Sequence, residues 1–219
     1  MVRLARPSVV VNFKTYGEGS GGNSEKLARS LAVNGVILAV QNADIYRVCS
    51  NVKVPVFAQH VDPVGCGQFT GKDEAGTLKA NGASGVLINH SEDKVSVKSI
   101  RDCINIARKA GLTTVVCIDK PGMARAVAMM GPDMIAIEPP ELIGTGISVS
   151  KAKPQVITKT VDAVKKANKN VDVLCGAGIS TKEDVRKAMD LGCSGVLVAS
   201  AIVTAKRPDK VMREFLSVL

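Results

Sequence analysis

Eight short apolar runs rich in β-branched residues alternate with longer amphipathic segments over the length of the 219-residue chain, and no linker or low-complexity stretch divides them. The runs Ser8–Val11, Val36–Val40, Val54–Ala58, Gly85–Asn89, Thr113–Ile118, Met134–Ile137, Val171–Leu174 and Gly195–Val198 read as strands. Between them, Ser24–Val33, Val95–Ala110, Gln155–Ala167, Lys182–Leu191 and Pro208–Val218 carry helical periodicity, several of them opened by Ser, Thr or Pro. Strand then helix, repeated, predicts a parallel sheet with right-handed crossovers. Most runs are apolar throughout, as a sheet covered on both faces requires. An open doubly wound sheet satisfies the same periodicity, but eight repeats favour closure into an α/β architecture of the (β/α)8 barrel type. A barrel of this length is expected to be one domain over residues 1–219.

Composition narrows what that fold does. With 3% aromatic residues and no Trp, the core must come from Val, Ile, Leu, Ala and Met, which suits closely packed parallel strands and helices. The balance of 29 basic against 20 acidic residues gives +9, a field that concentrates anions. Nucleic acid is disfavoured as the partner, because the cations are dispersed and the few aromatics form no stacking series. Cys49, Cys66, Cys103, Cys117, Cys175 and Cys193 lack the paired short spacing of a zinc or redox motif, so most are expected to be reduced and buried. The first apolar run is broken by Asn12 and Lys14 too early for a signal peptide, and no run approaches a membrane span. The expectation is a cytoplasmic enzyme or binding protein with no membrane partner.

In a (β/α)8 barrel the chemistry belongs to loops at the strands' C-terminal ends, and polar residues collect there. Met134–Ile137 stops at Glu138 and passes through Pro139-Pro140-Glu141-Leu142 into Ile143-Gly144-Thr145-Gly146. A carboxylate ending a buried strand, followed by a stiff Pro-Pro hinge and a glycine-rich tip, reads as a catalytic base beneath a lid that closes on an anion. A Glu leaving a strand also serves to cap a turn, but poor solvation would make this one the stronger base. The first strand runs into Asn12-Phe13-Lys14 and the fourth into Asn89-His90-Ser91-Glu92. A lone His is commonly structural. Here Ser91-Glu92-Asp93 reads as a helix start, whose positive end disfavours imidazolium and leaves a neutral ring to donate a proton to an oxyanion. Lys14, just beyond a buried strand, points towards the mouth, where it would draw in substrate and stabilise developing negative charge. Gly176-Ala177-Gly178 and Ala199-Ser200 have no bulky side chains, so their backbone N–H groups can approach a phosphate. With the Gly144-Thr145-Gly146 tip they make a three-sided phosphate cradle.

These residues resemble the triosephosphate isomerase family over the whole chain, in its short archaeal form. Asn12-Phe13-Lys14 looks like the family's substrate-binding start, His90-Ser91-Glu92 like its electrophilic histidine motif, and Glu138-Pro139 with Ile143-Gly144-Thr145-Gly146 like its base and lid. The family is a standard example of an acid–base pair under a lid, so these roles come from the resemblance. It implies a TIM barrel that interconverts dihydroxyacetone phosphate and glyceraldehyde 3-phosphate, a step of glycolysis and gluconeogenesis. Catalysis would fall to Glu138, His90 and Lys14. Substrate binding would fall to Asn12, Phe13, Lys14, Ile143, Gly144, Gly178, Ala199 and Ser200. No metal or organic cofactor is required.

Two departures bear on the lid and the cradle. Pro140-Glu141-Leu142 stands where longer members have a Val-Trp type of hinge. Gly178 stands where many have serine and Ala199-Ser200 where many have two glycines, so backbone donation survives while side-chain donation at Gly178 does not. Gln59-His60-Val61-Asp62 through Gln68-Phe69-Thr70-Gly71 resembles the loop that inserts into a neighbouring subunit, which implies a homodimer or, as in short archaeal members, a homotetramer. An exposed Gly-containing loop is the plainer reading of that segment. Another phosphosugar barrel, an isomerase or epimerase, is the alternative enzyme, and a non-catalytic phosphate- or nucleic-acid-binding protein the alternative class.

Overall fold

The computed structural model describes residues 8–139 and 154–219. Strands β1 (Ser8–Asn12), β2 (Val36–Val40), β3 (Val56–Ala58), β4 (Gly85–Ile88), β5 (Thr113–Ile118), β6 (Met134–Ile137), β7 (Asp172–Cys175) and β8 (Gly195–Val198) pair in sequence order, all parallel. β8 pairs back onto β1, Val9 against Val196 and Val11 against Val198, so the sheet is a closed barrel and not an open doubly wound one. β3 begins two residues later than expected because Pro55 has no N–H to give a central ladder. β4 stops at Ile88 because Asn89 has left-handed backbone, φ 61°.

The outer ring holds α1 (Gly22–Leu31), α2 (Ile45–Cys49), α3 (Ala75–Ala80), α4 (Val97–Lys109), α5 (Pro121–Met130), α6 (Pro154–Ala167), α7 (Lys182–Asp190), α8 (Ser200–Val203) and α9 (Pro208–Leu216). α4 shows why they form where they do. The Ser96 hydroxyl accepts a hydrogen bond from the Ser99 N–H, Ile100, Cys103, Ile104 and Ala107 make one buried stripe, and Arg108 and Lys109 occupy the negative end. The segment Ser91-Glu92-Asp93, expected to open this helix, is a turn; the side chain able to cap is Ser96, five residues on. α2, α3, α5 and α8 lie beyond the five periodic segments read from sequence. α5 carries its apolar residues nearly all round, so its period is weak.

Strand alternation creates two apolar layers. Val10, Ile37, Phe57, Leu87, Val115, Ala136, Leu174 and Leu197 fill the lumen, while Val9, Val11, Leu38, Val86, Ile135, Val173 and Val196 face the helices. The ring of Phe57 reaches across β4 where a Cβ on Gly85 would lie 2.5 Å from it and 2.6 Å from the Thr113 carbonyl, so only glycine leaves the lumen that space. The lumen is plugged, and chemistry is confined to the rim. Residues on the lumen's side of the alternation emerge there: Asn12 above Val10, Glu138 above Ala136, Gly176 above Leu174 and Ala199 above Leu197.

Candidate active site

A cavity of about 380 Å³ opens at that rim, walled by Asn12, Lys14, His90, Glu138, Gly176, Gly178 and Ser200 among others. They come from five strand ends, the outermost, Asn12 and Ser200, separated by 188 positions (200 − 12), and β-sheet closure brings them together. Glu138 is 3% exposed and its N–H donates to the Ile118 carbonyl at 2.8 Å, which continues the β5–β6 ladder one residue past the strand. One carboxylate oxygen, Oε1, lies 3.4 Å from His90 Nε2; the other, Oε2, is buried with no hydrogen-bond partner among the described residues. The Glu138 methylenes rest on Gly176, where a Cβ would come within 2.6 Å of Cγ. Cys117 lies one step down in the lumen, its thiol pushed well up by burial first and by the Glu138 charge second.

His90 is buried, and the Glu92 N–H donates to its Nδ1 at 3.2 Å. With Nδ1 an acceptor, the proton of the neutral ring is on Nε2, aimed at Glu138 and the cavity. The segment at 91–93 is a turn where a helix end was expected, and its contribution to the ring is the one backbone N–H that selects the tautomer. Glu92 Oε2, at 3.7 Å from the same Nδ1, is too far to bond it and cannot compete.

Lys14 has left-handed backbone, φ 47°, its N–H bonded to the Asn12 side chain at 3.0 Å and its carbonyl to the Gln59 amide at 3.2 Å. That bend aims the ammonium across the mouth, where it pairs with Glu92 Oε1 at 2.6 Å. Glu92 thus touches both His90 and Lys14, the first through its backbone and the second through its carboxylate. On the opposite wall Gly178 needs its own left-handed conformation, φ 66°, which glycine adopts without strain. The chain after β8 bends at Ala199 into α8, and the amides of Ser200 and Ala201 precede the first intrahelical bond, Ile202 to the Ala199 carbonyl.

Asn12, Lys14, His90, Glu138, Gly178, Ala199 and Ser200 therefore meet around one cavity. Phe13 does not: it is fully buried in the layer between barrel and helices, because strand alternation turns it away from the lumen. Ile143 and Gly144, with the rest of the expected lid at 140–146, lie outside the described residues. Tyr16, Ser91 and Ser180 also line the cavity. Their closeness to the strand-end motifs was the available signal, and nothing in their residue types separates them from ordinary loop residues.

Fold and rim together define a (β/α)8-barrel enzyme whose carboxylate and imidazole face one anion-sized cavity. The family model for triosephosphate isomerase matches residues 7–216. Triosephosphate isomerases of Methanobrevibacter smithii and Methanosarcina barkeri are each 45% identical to this chain, over 97% and 99% of it and over 99% and 100% of their own lengths. A crystal structure of triosephosphate isomerase from Bartonella henselae superposes with a TM-score of 0.73 at 19% identity, covering 98% of both chains, which speaks for the fold. The chain belongs to the triosephosphate isomerase family.

Proposed function

We propose that Glu138 is the base that carries a proton between adjacent carbons of a triose phosphate, with His90 and Lys14 stabilising the charge this releases. The reaction is the interconversion of dihydroxyacetone phosphate and glyceraldehyde 3-phosphate. The observation that carries the assignment of roles is the approach of Glu138 Oε1 to His90 Nε2, 3.4 Å, at the wall of the cavity. A carbon of a substrate seated in the cavity that both groups line loses its proton to the carboxylate, and the electron pair moves through the new C=C bond onto the carbonyl oxygen. The Nε2–H proton and the Lys14 ammonium meet that oxygen as it becomes negative. The Nε2–H proton passes to that oxygen, the ring nitrogen takes in exchange the hydroxyl proton of the first carbon, and return of the carbon-bound proton from Glu138 to the neighbouring carbon completes the isomerisation with the enzyme regenerated. The loops at 176–178 and 199–200 offer backbone N–H groups to the phosphate. Exclusion of water by residues 140–146 would limit loss of phosphate from the intermediate.

The whole chain would act as one barrel domain and as a homodimer or homotetramer. The half-exposed Phe69 in the loop after β3 supports an intersubunit contact there, since a large apolar side chain on a loop tip gains by being covered. Six cysteines with no disulfide among them fit the reducing conditions of cytoplasm. No helix among the described residues is long and apolar enough to cross a membrane.

Steady-state isomerisation measured in both directions tests the roles. Glu138→Asp withdraws the carboxylate by ~1 Å and is expected to lower kcat about 10²-fold in a folded protein. A variant with wild-type kcat would remove Glu138 from the role of base.

A further inference from the structure

Among the described residues, only Lys14 and Asn89 combine a side chain with left-handed backbone. Asn89 immediately precedes His90, and Leu87 faces the lumen. Continued alternation would send residue 90 outward with Val86 and Ile88, into the layer under the helices. The left-handed bend at Asn89 ends the alternation, and His90 lines the cavity instead. Asparagine tolerates this conformation better than other side chains, and its amide hydrogen-bonds locally.

That amide does more than tolerate the bend. Its Nδ2 donates to the Cys117 carbonyl near the end of β5 at 2.8 Å, and its Oδ1 accepts from the Val95 N–H at 3.0 Å. A carbonyl only accepts and an N–H only donates, so the partners fix which way the amide faces. Between the two anchor points the loop is closed on His90 itself: the Asp93 N–H donates to the His90 carbonyl at 2.9 Å and the Glu92 N–H to its ring at 3.2 Å. Cys117 precedes Ile118, whose carbonyl holds the Glu138 N–H. One side-chain amide thereby ties the loop carrying the imidazole to the strand edge that carries the carboxylate.

We propose that Asn89 is a positioning residue for the acid–base pair, its amide bridge between Cys117 and Val95 setting the approach of His90 Nε2 to Glu138. The proposal rests on the reading of His90 and Glu138 as the groups that move protons. It predicts an effect on chemistry without an equal effect on phosphate binding, since Asn89 is remote in the chain from the loops at 176–178 and 199–200 and does not line the cavity they share.

Two variants separate the bridge from the bend. Asn89→Gly keeps access to left-handed backbone and removes both side-chain bonds. Asn89→Asp is nearly isosteric, still accepts from Val95 when ionised, and has nothing to donate to Cys117. Both are expected to keep the wild-type circular dichroism spectrum, with KM and competitive inhibition by inorganic phosphate within about twofold, while kcat falls about 10- to 100-fold, as a displacement of ~1 Å would produce. Wild-type kcat in either folded variant overturns the proposal, and so does a parallel loss of kcat and phosphate affinity, which marks a general collapse of the mouth. If the glycine variant does not fold, the aspartate variant decides by the same criteria. Wild type and Glu138→Asp are run in the same assay: full activity in Glu138→Asp sinks the pair itself, whereas a crippled Glu138→Asp beside a fully active Asn89→Gly sinks only the role of Asn89.

Discussion

Glu138 is set by what surrounds it. Its backbone is a continuation of the β5–β6 ladder, its methylenes rest on Gly176 and its carboxylate meets His90. Adding a methyl at Gly176 places a carbon 2.6 Å from Glu138 Cγ, so one of them must move. Gly176→Ala is therefore expected to fold yet to lose about 10²-fold in kcat, measured by steady-state isomerisation, because the carboxylate proposed as the base is displaced by ~1 Å. A variant retaining wild-type kcat would show that Glu138 has room to spare. His90→Gln retains an N–H donor without the imidazole's geometry and should lower kcat more than it weakens competitive inhibition by inorganic phosphate. Equal losses in both would make His90 a structural residue. Asn12, Lys14, His90 and Glu138 were legible in the sequence because each ends an apolar run. Gly176 as the floor beneath Glu138, and Asn89 as a bridge, were not, since those roles are distances between residues far apart in the chain.

Between elements, the seam that closes the barrel is the β1–β8 pair. At Gly195 a Cβ would lie 2.2 Å from the Ser8 carbonyl oxygen, a backbone atom that cannot move without breaking the pairing. Gly195→Ala should cost about 3 kcal/mol or more, the upper end for overpacking, read as a lowered urea midpoint. An unchanged midpoint would mean the seam yields more easily than a closed sheet should. α7 tests a local signal. Thr181 accepts from the Asp184 N–H, and the Asp184 carboxylate reaches back to the Thr181 N–H, a capping box. Thr181→Ala should cost about 1 kcal/mol by the same measurement. This box is visible in sequence because it spans four residues; the Gly195 contact joins opposite ends of the chain and is visible only once the sheet closes.

Burial of thiols within the barrel gives the protein a pH response of defined sign. Burial pushes Cys49 and Cys103 up to about 11, with nearby Asp62 and Asp102 adding at Cys103, and Cys193 up to about 12. The folded state thus favours the neutral thiol. That stability is fully present below the unfolded thiol value of about 8.5 and is lost as pH rises through 11–12. Urea midpoints should be level from pH 7 to 8 and fall progressively above about 8.5; a midpoint that rises over that range would contradict the assignment. Carboxylates act at the other end. The Lys94 ammonium 2.6 Å away holds Asp119 below its usual range, so its contribution is present above about pH 4 and is lost under acid. In the single chain Cys66 alone among the six thiols is exposed, and it lies in the loop proposed to meet a neighbouring subunit, so a thiol reagent at pH 7.5 should modify one cysteine quickly in dissociated chains and slowly in the assembled protein.

The alternation of eight strands with helices, the strand positions to within a residue or two, and the Thr181 opening of α7 were written in local pattern, because apolar period, β-branching and capping act over two to eight neighbouring residues. Closure, the side of the sheet each terminal residue faces, and the 3.4 Å between carboxylate and imidazole came from long-range packing. Phe13 and His90 show the difference. Both follow an apolar run, yet alternation buries Phe13 under the helices, while a left-handed bend one residue earlier turns His90 into the mouth. The physical reason is that a period-two strand assigns faces only as long as it stays a strand; where it ends, backbone dihedrals and contacts from distant elements take over.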